Sequence, residues 1–227
     1  MSELSSRDLY TVDDMRRIDR AALDALSISG SELMRRAASD ALRSLRRRWP
    51  QARRLRVHCG PGNNGGDGFL LGVLAREAGL QVDVVALADI SSGDAASARA
   101  AWVDAGGAVR AVDALHELPE PDVQVDALYG IGLNRAPEPT AAALIERING
   151  SGVPVLALDV PSGLDADSGH CPGAVIRADL TVTFIADKRG LHTGPAVDCT
   201  GVLELATLGV PASTFAQVAP DAHLLVA

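Results

Sequence analysis

Short apolar runs alternate with amphipathic stretches along most of this chain. The stretches 69–78, 95–105 and 141–149 have the apolar spacing of helices. Candidate strands recur at 55–59, 82–87, 109–112, 123–128, 153–160, 180–185 and 202–205. Alternating strands and helices predict βαβ crossovers. The expected fold class is therefore α/β, with a mostly parallel, doubly wound sheet.

Both ends of the chain depart from this alternation. Thr11-Val12-Asp13-Asp14 is a capping pattern, and Ser29-Gly30-Ser31 interrupts the helical run before Glu32 restarts it. Two helices should therefore make residues 1–50 an N-terminal helical segment packed on the domain. Residues 211–227 are predicted to be a terminal extension or linker, and the whole of 1–227 a single domain.

One glycine-rich segment, Gly-Pro-Gly-Asn-Asn-Gly-Gly-Asp-Gly at 60–68, joins the first apolar run to the helical pattern that follows. Glycines at such a junction let backbone N–H groups approach a ligand closely. Asp67 is predicted at the start of the helix, where its charge would repel a phosphate. We therefore expect the pyrophosphate of a dinucleotide at a second glycine loop, 130–132.

The glycines at 60, 62 and 65 also satisfy the G-x-G-x-x-G spacing of a dinucleotide fold, with Asp89 at the distance of a ribose-binding acid. This spacing keeps an NAD-dependent dehydrogenase open as an alternative. Asp67 at the helix start argues against it, as does the lack of a His or Tyr/Lys motif for hydride-coupled proton transfer. A structural strand-to-helix turn that needs glycine is a further alternative.

Polar or glycine-rich segments follow three of the predicted strands, at 63–68, 126–135 and 159–169. In a parallel sheet they lie along one edge, which brings Asp67, Asp126 and Asp159 within reach of a shared pocket. Asp126 and Asp159 each end an apolar run, where a charge is unfavourable unless something pairs with it. A bound cation or catalysis would explain both, whereas Asp165 and Asp167 are better explained as turn caps.

Composition narrows the class of protein. The chain has 227 residues, 47% of them hydrophobic and 22% charged, which suits one compact domain. A net charge of -8 argues against a nucleic-acid partner, and the seven arginines within 43–56 are interpreted as a solvated helix end.

The distribution of particular residue types narrows the location and the chemistry. No run is long and charge-free enough to span a membrane, and the N-terminus lacks a signal-peptide pattern. Three cysteines without CxxC spacing suit a reduced, cytoplasmic protein. The five scattered histidines have no metal-ligand spacing.

Four motifs together resemble the NAD(P)H-hydrate epimerases, the family with the YjeF N-terminal domain. They are GPGNNGGDG at 60–68, VDALYGIGLNR at 125–135, LALDVPSGLDADSG at 156–169 and ADLTVTFIADKRGLHTGPA at 178–196. The resemblance implies a Rossmann-like three-layer α/β/α sandwich. It also implies an isomerase that interconverts the R and S epimers of hydrated NADH or NADPH (NADHX and NADPHX) in nicotinamide nucleotide repair, with a bound potassium ion.

The resemblance assigns site residues by position. Asn64, Asp126 and Ser162 would supply potassium ligands, and their oxygen donors suit a hard cation. The hydrated nucleotide would be bound by Asn63, Asn64, Gly65, Gly66 and Asp67, by Gly130, Ile131, Gly132, Leu133, Asn134, Arg135 and Ala136, and by Asp159.

The reaction needs no redox step. The reacting carbon bears a hydroxyl and the ring nitrogen, so inversion requires breaking and remaking one C–O or C–N bond. Asp159 is the candidate for shuttling the proton, and Lys188 the candidate for a second acid/base or an electrostatic partner. A non-catalytic nucleotide-binding or protein-interaction module of the same fold is the alternative, although Asp126, Asp159 and Ser162 together argue against a dead site.

Two departures from the family pattern bear on the assembly. Leu33-Met34-Arg35-Arg36-Ala37-Ala38 stands where the family resembles LMENAG, at a position expected to line the pocket or a dimer contact. Many bacterial members continue into an ADP- or ATP-dependent NAD(P)H-hydrate dehydratase, so a dehydratase is expected as a functional partner or fused domain, alongside a possible homodimer.

Overall fold

The computed structural model describes residues 5–226. Their strands are β1 Ser5–Tyr10, β2 Arg54–Cys59, β3 Gln81–Ala86, β4 Val109–Ala111, β5 Val123–Ala127, β6 Val155–Leu158, β7 Leu180–Phe184, β8 Asp187–Lys188, β9 Val202–Ala206 and β10 Ala222–Val226. Their α-helices are α1 Val12–Leu26, α2 Gly30–Arg48, α3 Asn63–Glu77, α4 Gly93–Asp104 and α5 Pro139–Asn149.

Seven strands form one parallel sheet in the order β4-β3-β2-β5-β6-β7-β9. They coincide with the seven apolar runs of the sequence. The largest difference is at 153–160, where β6 covers only Val155–Leu158. The strand ends early because Asp159 adopts a left-handed backbone conformation with φ of 65°.

Helices cover both faces of this sheet, which confirms the doubly wound α/β fold. α2, α3 and α4 cover one face, and Leu45, Leu71 and Trp102 from them lie in its core. α5 covers the other face, together with the 3-10 helix Val112–Glu117. Successive β3 residues Val84 and Val85 point into opposite cores, which is why strands of this sheet carry apolar residues at consecutive positions.

The two predicted N-terminal helices are present with the predicted caps. The Thr11 hydroxyl accepts a hydrogen bond from the Asp14 N–H at 3.2 Å, and the Thr11 N–H donates to the Asp14 carboxylate at 3.3 Å. The Ser29 hydroxyl caps α2 by accepting from the Glu32 N–H at 3.2 Å. Met15 and Ile18 bury the inner face of α1 against the core.

A second, three-stranded sheet in the order β10-β1-β8 was not predicted. β1 pairs antiparallel with β10 and parallel with β8. The part of 211–227 that the structure describes therefore folds back onto β1 instead of forming a linker, and it also contains the 3-10 helix Ala212–Gln217. β1 and β8 are short and largely polar, so only long-range pairing reveals this sheet. Their consequence for function is that β8 carries Lys188.

The start of α3 is a correction to the sequence analysis. The helix begins at Asn63, not near Phe69, so Asp67 is its fifth residue. Gly65 and Gly66 lie inside the helix although glycine disfavours helices. Close packing explains them: a Cβ on Gly65 would overlap the Gly60 carbonyl oxygen, and one on Gly66 would lie 2.6 Å from the Met34 sulfur. Within residues 5–226, no helix has the length and apolarity needed to cross a membrane.

Candidate active site

A cavity of about 670 Å³ lies where the loops after β2, β5 and β6 meet. These three strands are neighbours in the sheet, so the predicted convergence of the three loops is confirmed. Asp67 and Asp159 both line the cavity. A volume in this range accommodates a small organic ligand.

Most of the residues expected to bind the nucleotide line this cavity. Those that do are Asn63, Asn64, Asp67, Gly130, Ile131, Gly132, Leu133, Asn134, Arg135 and Asp159, together with Lys188. Gly65, Gly66 and Ala136 are not among the lining residues. The two glycines instead let α3 pack closely, and Ala136 lies beside Gly173.

The N-terminus of α3 faces the cavity without a side-chain cap. Gly62 is the N-cap residue and makes no side-chain hydrogen bond there, and Gly62 and Asn63 both line the cavity. Asp67 was expected to repel a phosphate because it was placed at the helix start, and this placement is wrong, since Asp67 lies one turn further into the helix. Burial, followed by the charges of Asp159 and Asp19, also raises the pKa of Asp67 well above its usual range, which favours the neutral carboxyl.

Asn64 has an amide with no partner among the described residues. Its side chain is buried, and neither Oδ1 nor Nδ2 makes a hydrogen bond there. The amide lies beside Gly130, where an added Cβ would be 3.6 Å from the Asn64 Cγ. Buried amides are almost always hydrogen-bonded, so this one indicates a ligand or an ion at this end of the cavity.

Asp159 and Lys188 form a buried ion pair in the cavity wall. The Lys188 Nζ lies 2.6 Å from the Asp159 Oδ1, and it also donates to the Thr183 hydroxyl and the Phe184 carbonyl oxygen at 2.8 Å each. The Lys188 side chain is 1% exposed, whereas that of Asp159 is 15% exposed. Lys188 thus holds the carboxylate in place, while the Asp159 Oδ2 lies toward Gly130, 3.1 Å from where a Cβ would be.

Three non-glycine residues with positive φ line the same cavity. Asp159 and Ile185 have φ of 65°, and Leu208 has φ of 55°. The conformation is most unfavourable for the β-branched Ile185. It is held by a hydrogen bond from the Ile185 N–H to the Ala206 carbonyl oxygen at 2.8 Å. Strained backbone persists only where surrounding structure enforces it, and it concentrates at functional sites.

Asp126 is placed differently from the expectation. It is fully buried behind the cavity and does not line it. It is not an unpaired charge, because its carboxylate accepts hydrogen bonds from the Ser162 hydroxyl at 2.6 Å, the Ser162 N–H at 2.8 Å and the Leu128 N–H at 3.2 Å. Burial raises its pKa to about 6, while the Ser162 bonds oppose that rise. The pair joins the loops that follow β5 and β6.

One wall of the cavity comes from α1 and was not predicted from the sequence. Met15, Arg16, Asp19 and Leu23 all line it. Burial, together with the charge of Asp159, raises the pKa of Asp19 to about 6 against the opposing effect of Lys188. Helical spacing puts Asp19, four residues after Met15, near the inner face of α1, but only the tertiary structure shows that this face borders the cavity.

Other candidate residues lie away from the cavity. The Asp89 side chain is 92% exposed and pairs with Arg99, so it is not placed as a ribose-binding acid. Asp165 caps its turn by accepting from the Ser168 N–H, as expected, and Asp167 accepts from the Val12 N–H.

The departure from the family pattern at 35–36 does not reach the cavity, whose lining includes Leu33, Met34 and Ala37. Arg36 instead donates to the Leu208 carbonyl oxygen at 3.2 Å. Among the described residues, no group of three or more His, Cys, Asp or Glu is arranged to hold a metal ion.

Comparison with known proteins agrees with this arrangement. Residues 30–190 match the family model described as YjeF-related protein N-terminus. The chain is 44% identical over 205 residues to the bifunctional NAD(P)H-hydrate repair enzyme Nnr of Escherichia coli, which covers 89% of the chain but 39% of that enzyme. It is 39% identical over 204 residues to the NAD(P)H-hydrate epimerase of Achromobacter xylosoxidans, covering 88% of the chain and 95% of the epimerase.

The fold has a close counterpart among solved structures. The crystal structure of the yeast protein YNL200c superposes with a TM-score of 0.80 at 18% identity, over 96% of this chain and 99% of that one. The bifunctional relatives are longer than this chain. The chain spans about two fifths of the Escherichia coli enzyme and of the Coxiella burnetii enzyme, to which it is 42% identical.

Proposed function

Because this chain belongs to the family of YjeF-related protein N-termini, we propose that it is an NAD(P)H-hydrate epimerase, an isomerase that interconverts the R and S epimers of hydrated NADH and NADPH. The observation that carries the proposal is the Asp159–Lys188 pair in the wall of a cavity lined by both glycine loops. It combines a proton-transfer group with a site large enough for the reacting ring.

The chemistry of the substrate fits a carboxylate in this position. Inversion at the hemiaminal carbon requires one proton to reach the departing group and one to be taken up when the bond reforms. Lys188 holds Asp159 in place through Oδ1, which leaves Oδ2 toward the cavity. The uncapped start of α3, at Gly62 and Asn63, supports binding of the pyrophosphate in the same cavity.

The rival dehydrogenase reading loses its support, because Asp89 points into solvent. The two functions predict different results with reduced cofactor. An epimerase of this kind binds NADPH, which raises its Tm, and leaves the absorbance of reduced cofactor unchanged with panels of alcohols, hydroxy acids and carbonyl compounds. Substrate-dependent loss of that absorbance would restore the dehydrogenase, and failure to bind any nucleotide would favour the protein-interaction module.

The direct test is an epimer-resolved assay. A mixture of R and S hydrates is incubated with a purified S-specific dehydratase, which consumes only the S epimer. If this chain is an epimerase, its addition leads to consumption of both epimers. A persistent R epimer in its presence would overturn the proposal.

Variants of two aspartates sharpen the assay. Asp159→Asn keeps the shape of the side chain and tolerates the left-handed backbone, yet it removes the proton acceptor. We expect it to lose about a hundredfold to ten-thousandfold in rate. Asp89→Asn is the matched control, since its exposed carboxylate lies away from the cavity, and it should retain full activity. Equal rates in both variants would remove Asp159 from the mechanism.

A potassium ion is part of the proposal, and the residues present fit one. Asn64 offers a buried amide oxygen without a partner among the described residues, and the buried Asp126 retains unused acceptor capacity on Oδ2. The Ser162 hydroxyl also has a free lone pair, since it donates to Asp126 and accepts from the Tyr129 N–H. These three oxygens would hold the cation, whose charge would lower the cost of burying Asp126.

Thermal unfolding in potassium chloride tests the cation site. The Tm should rise in potassium relative to an equal concentration of tetramethylammonium, because an ion that binds only the folded state stabilises it. Asn64→Ala should abolish this increment, whereas Asn63→Ala, at an exposed neighbouring position, should preserve it. A Tm that follows ionic strength alone would reject the site.

The partners expected from the resemblance remain part of the proposal. Several relatives are named bifunctional NAD(P)H-hydrate repair enzymes. This name supports an ADP- or ATP-dependent hydrate dehydratase as a fused or separate partner. We also propose a cytoplasmic location, where reduced nicotinamide nucleotides are in use, and a homodimer, which sedimentation would detect.

A further inference from the structure

We propose that Asp19 on α1 is a second catalytic acid/base, which acts on a bound ring together with Asp159. The proposal rests on the proposed epimerase function. Asp19 lies outside residues 30–190, which match the family model. Its position in the cavity is a feature of the tertiary structure alone.

The placement of Asp19 is well determined by the helix that carries it. Met15, Ile18 and Ala22 anchor α1 in the core, and Asp19 lies beside this stripe and lines the cavity. The capping box at Thr11 fixes the start of the helix. Asp19 is therefore held on a rigid element instead of a loop.

Asp19 and the Asp159–Lys188 pair belong to different walls of the cavity. Asp159 follows β6 at the edge of the sheet, and Lys188 lies on β8, whereas Asp19 is carried by a helix. In this proposal a ring bound between these elements meets one carboxylate on each face. Such an arrangement suits inversion by C–O cleavage, because the hydroxyl leaves from one face of the carbon and water adds to the other.

The reaction then balances without any co-reactant other than water. Protonated Asp19 donates its proton to the hydroxyl, the C–O bond breaks with release of water, and the ring-nitrogen lone pair forms a C=N bond. A water molecule adds to the other face, a new C–O bond forms, and Asp159 takes the released proton while the C=N electrons return to nitrogen. The reverse direction exchanges the two roles, and no atom is oxidised or reduced.

The charges around Asp19 support this role. Lys188, Asp159, Asp67, Arg16 and Arg20 are the charged or titratable groups that face Asp19 or lie beside it in the cavity. Burial raises the pKa of Asp19 to about 6, so the group exchanges its proton near the operating pH, as acid/base catalysis requires.

An independent observation points to a ligand between these groups. Asn64, in the same cavity, is buried with both amide atoms unpartnered among the described residues. A cluster of carboxylates that only stabilised the fold would not account for an unsatisfied buried amide in the same cavity. The cavity that Asp19, Asp67 and Asp159 line is therefore built to receive a polar ligand or an ion.

The experiment compares wild type, Asp19→Asn, Asp19→Glu and the matched control Asp24→Asn, whose exposed side chain lies on the outer face of the same helix. Rates are measured in the epimer-resolved assay on both sides of pH 6. We expect Asp19→Asn to lose about a hundredfold or more in kcat/KM, with unchanged NADPH binding and a Tm no lower than that of wild type. Asp19→Glu should recover part of the rate, and Asp24→Asn should match wild type.

The pH profile separates catalysis from a structural role. The mechanism needs one proton on the pair of Asp19 and Asp159. Wild-type kcat/KM should therefore fall as pH rises through about 6, both for the conversion of R to S and for that of S to R. Asp19→Asn should lack this fall. In Asp19→Ala, added formate should restore activity because it supplies a carboxyl group in the vacated space.

Each outcome is decisive. Asp19→Asn at near wild-type rate, or a slow variant that keeps the wild-type pH profile and gains nothing from formate in the alanine background, would overturn the role of Asp19. A wild-type protein with no epimerase activity would instead overturn the proposed function, and the role of Asp19 with it.

Discussion

Replacing Lys188 by methionine isolates the energetic contribution of the buried ion pair. Methionine preserves most of the apolar volume of the lysine side chain and removes the ammonium group. The Thr183 hydroxyl and the Phe184 carbonyl oxygen each lose a donor at 2.8 Å. The Asp159 Oδ1 loses its partner at 2.6 Å and keeps only the Phe184 N–H at 3.4 Å.

The expected loss of stability follows from what is left behind. Removing one partner of a buried ion pair costs about 3–5 kcal/mol, because the other charge remains buried without compensation. Asp159 is 15% exposed, so water offsets part of the cost and places the expectation near the lower limit of about 3 kcal/mol. At about 2–4 °C per kcal/mol for a chain of this length, the Tm should fall by about 6–12 °C.

Calorimetry on three proteins tests this reasoning. Lys188→Met should show the full loss, and the double variant Lys188→Met/Asp159→Asn should recover part of it, because asparagine carries no charge and tolerates the backbone at this position. A loss below about 1 kcal/mol, or a double variant no more stable than the single one, would refute the assignment of the cost to a stranded carboxylate.

Three further predictions concern the rest of the fold. Gly60→Ala should lower the Tm because its Cβ would overlap the Leu128 carbonyl oxygen, whereas Gly62→Ala, with nothing within 4 Å of its Cβ, should leave the Tm nearly unchanged. Burial raises the pKa of Asp19 to about 6, so the folded state favours the protonated carboxyl. Chemical denaturation should therefore show wild type losing stability relative to Asp19→Asn as the pH rises from about 4 through 6. Trp102→Ala should lower the free energy of unfolding in urea by about 3–5 kcal/mol, because Trp102 is 1% exposed in the core and donates to the Ala108 carbonyl oxygen. A loss below about 1 kcal/mol would show that the core closes over the space left by the missing ring.

The convergence of the three loops was predictable from the chain alone. Parallel strands place their carboxyl ends at one edge, and the polar segments after 55–59, 123–128 and 153–160 must therefore meet there. The hydrogen-bond partners within that edge were not predictable. The sequence predicts that a bound cation or a catalytic role accounts for the buried charge of Asp126. In the structure Ser162 also lies within reach, because β5 and β6 are neighbours, and its hydroxyl and N–H donate to the carboxylate.

The glycine-rich segment shows how packing overrides local preference. Glycine and asparagine disfavour a helix, so the sequence predicted a loop up to 68. In the structure the helix starts at Asn63, because Gly65 and Gly66 allow contacts with Gly60 and Met34 that no larger residue permits. This shift of the helix start leaves its N–H groups open to the cavity.

The sequence by itself determined the α/β class, the seven parallel strands, the two capped N-terminal helices and the edge of the sheet at which the site lies. These follow from apolar periodicity and capping, which act between residues close in the chain. Tertiary structure alone decided that β1 and β10 form a second sheet with β8, that Lys188 reaches Asp159, and that Asp19 joins them. The reason is physical: strand pairing, ion pairing and burial join residues that are far apart in the chain, and patterns between near neighbours do not encode these contacts.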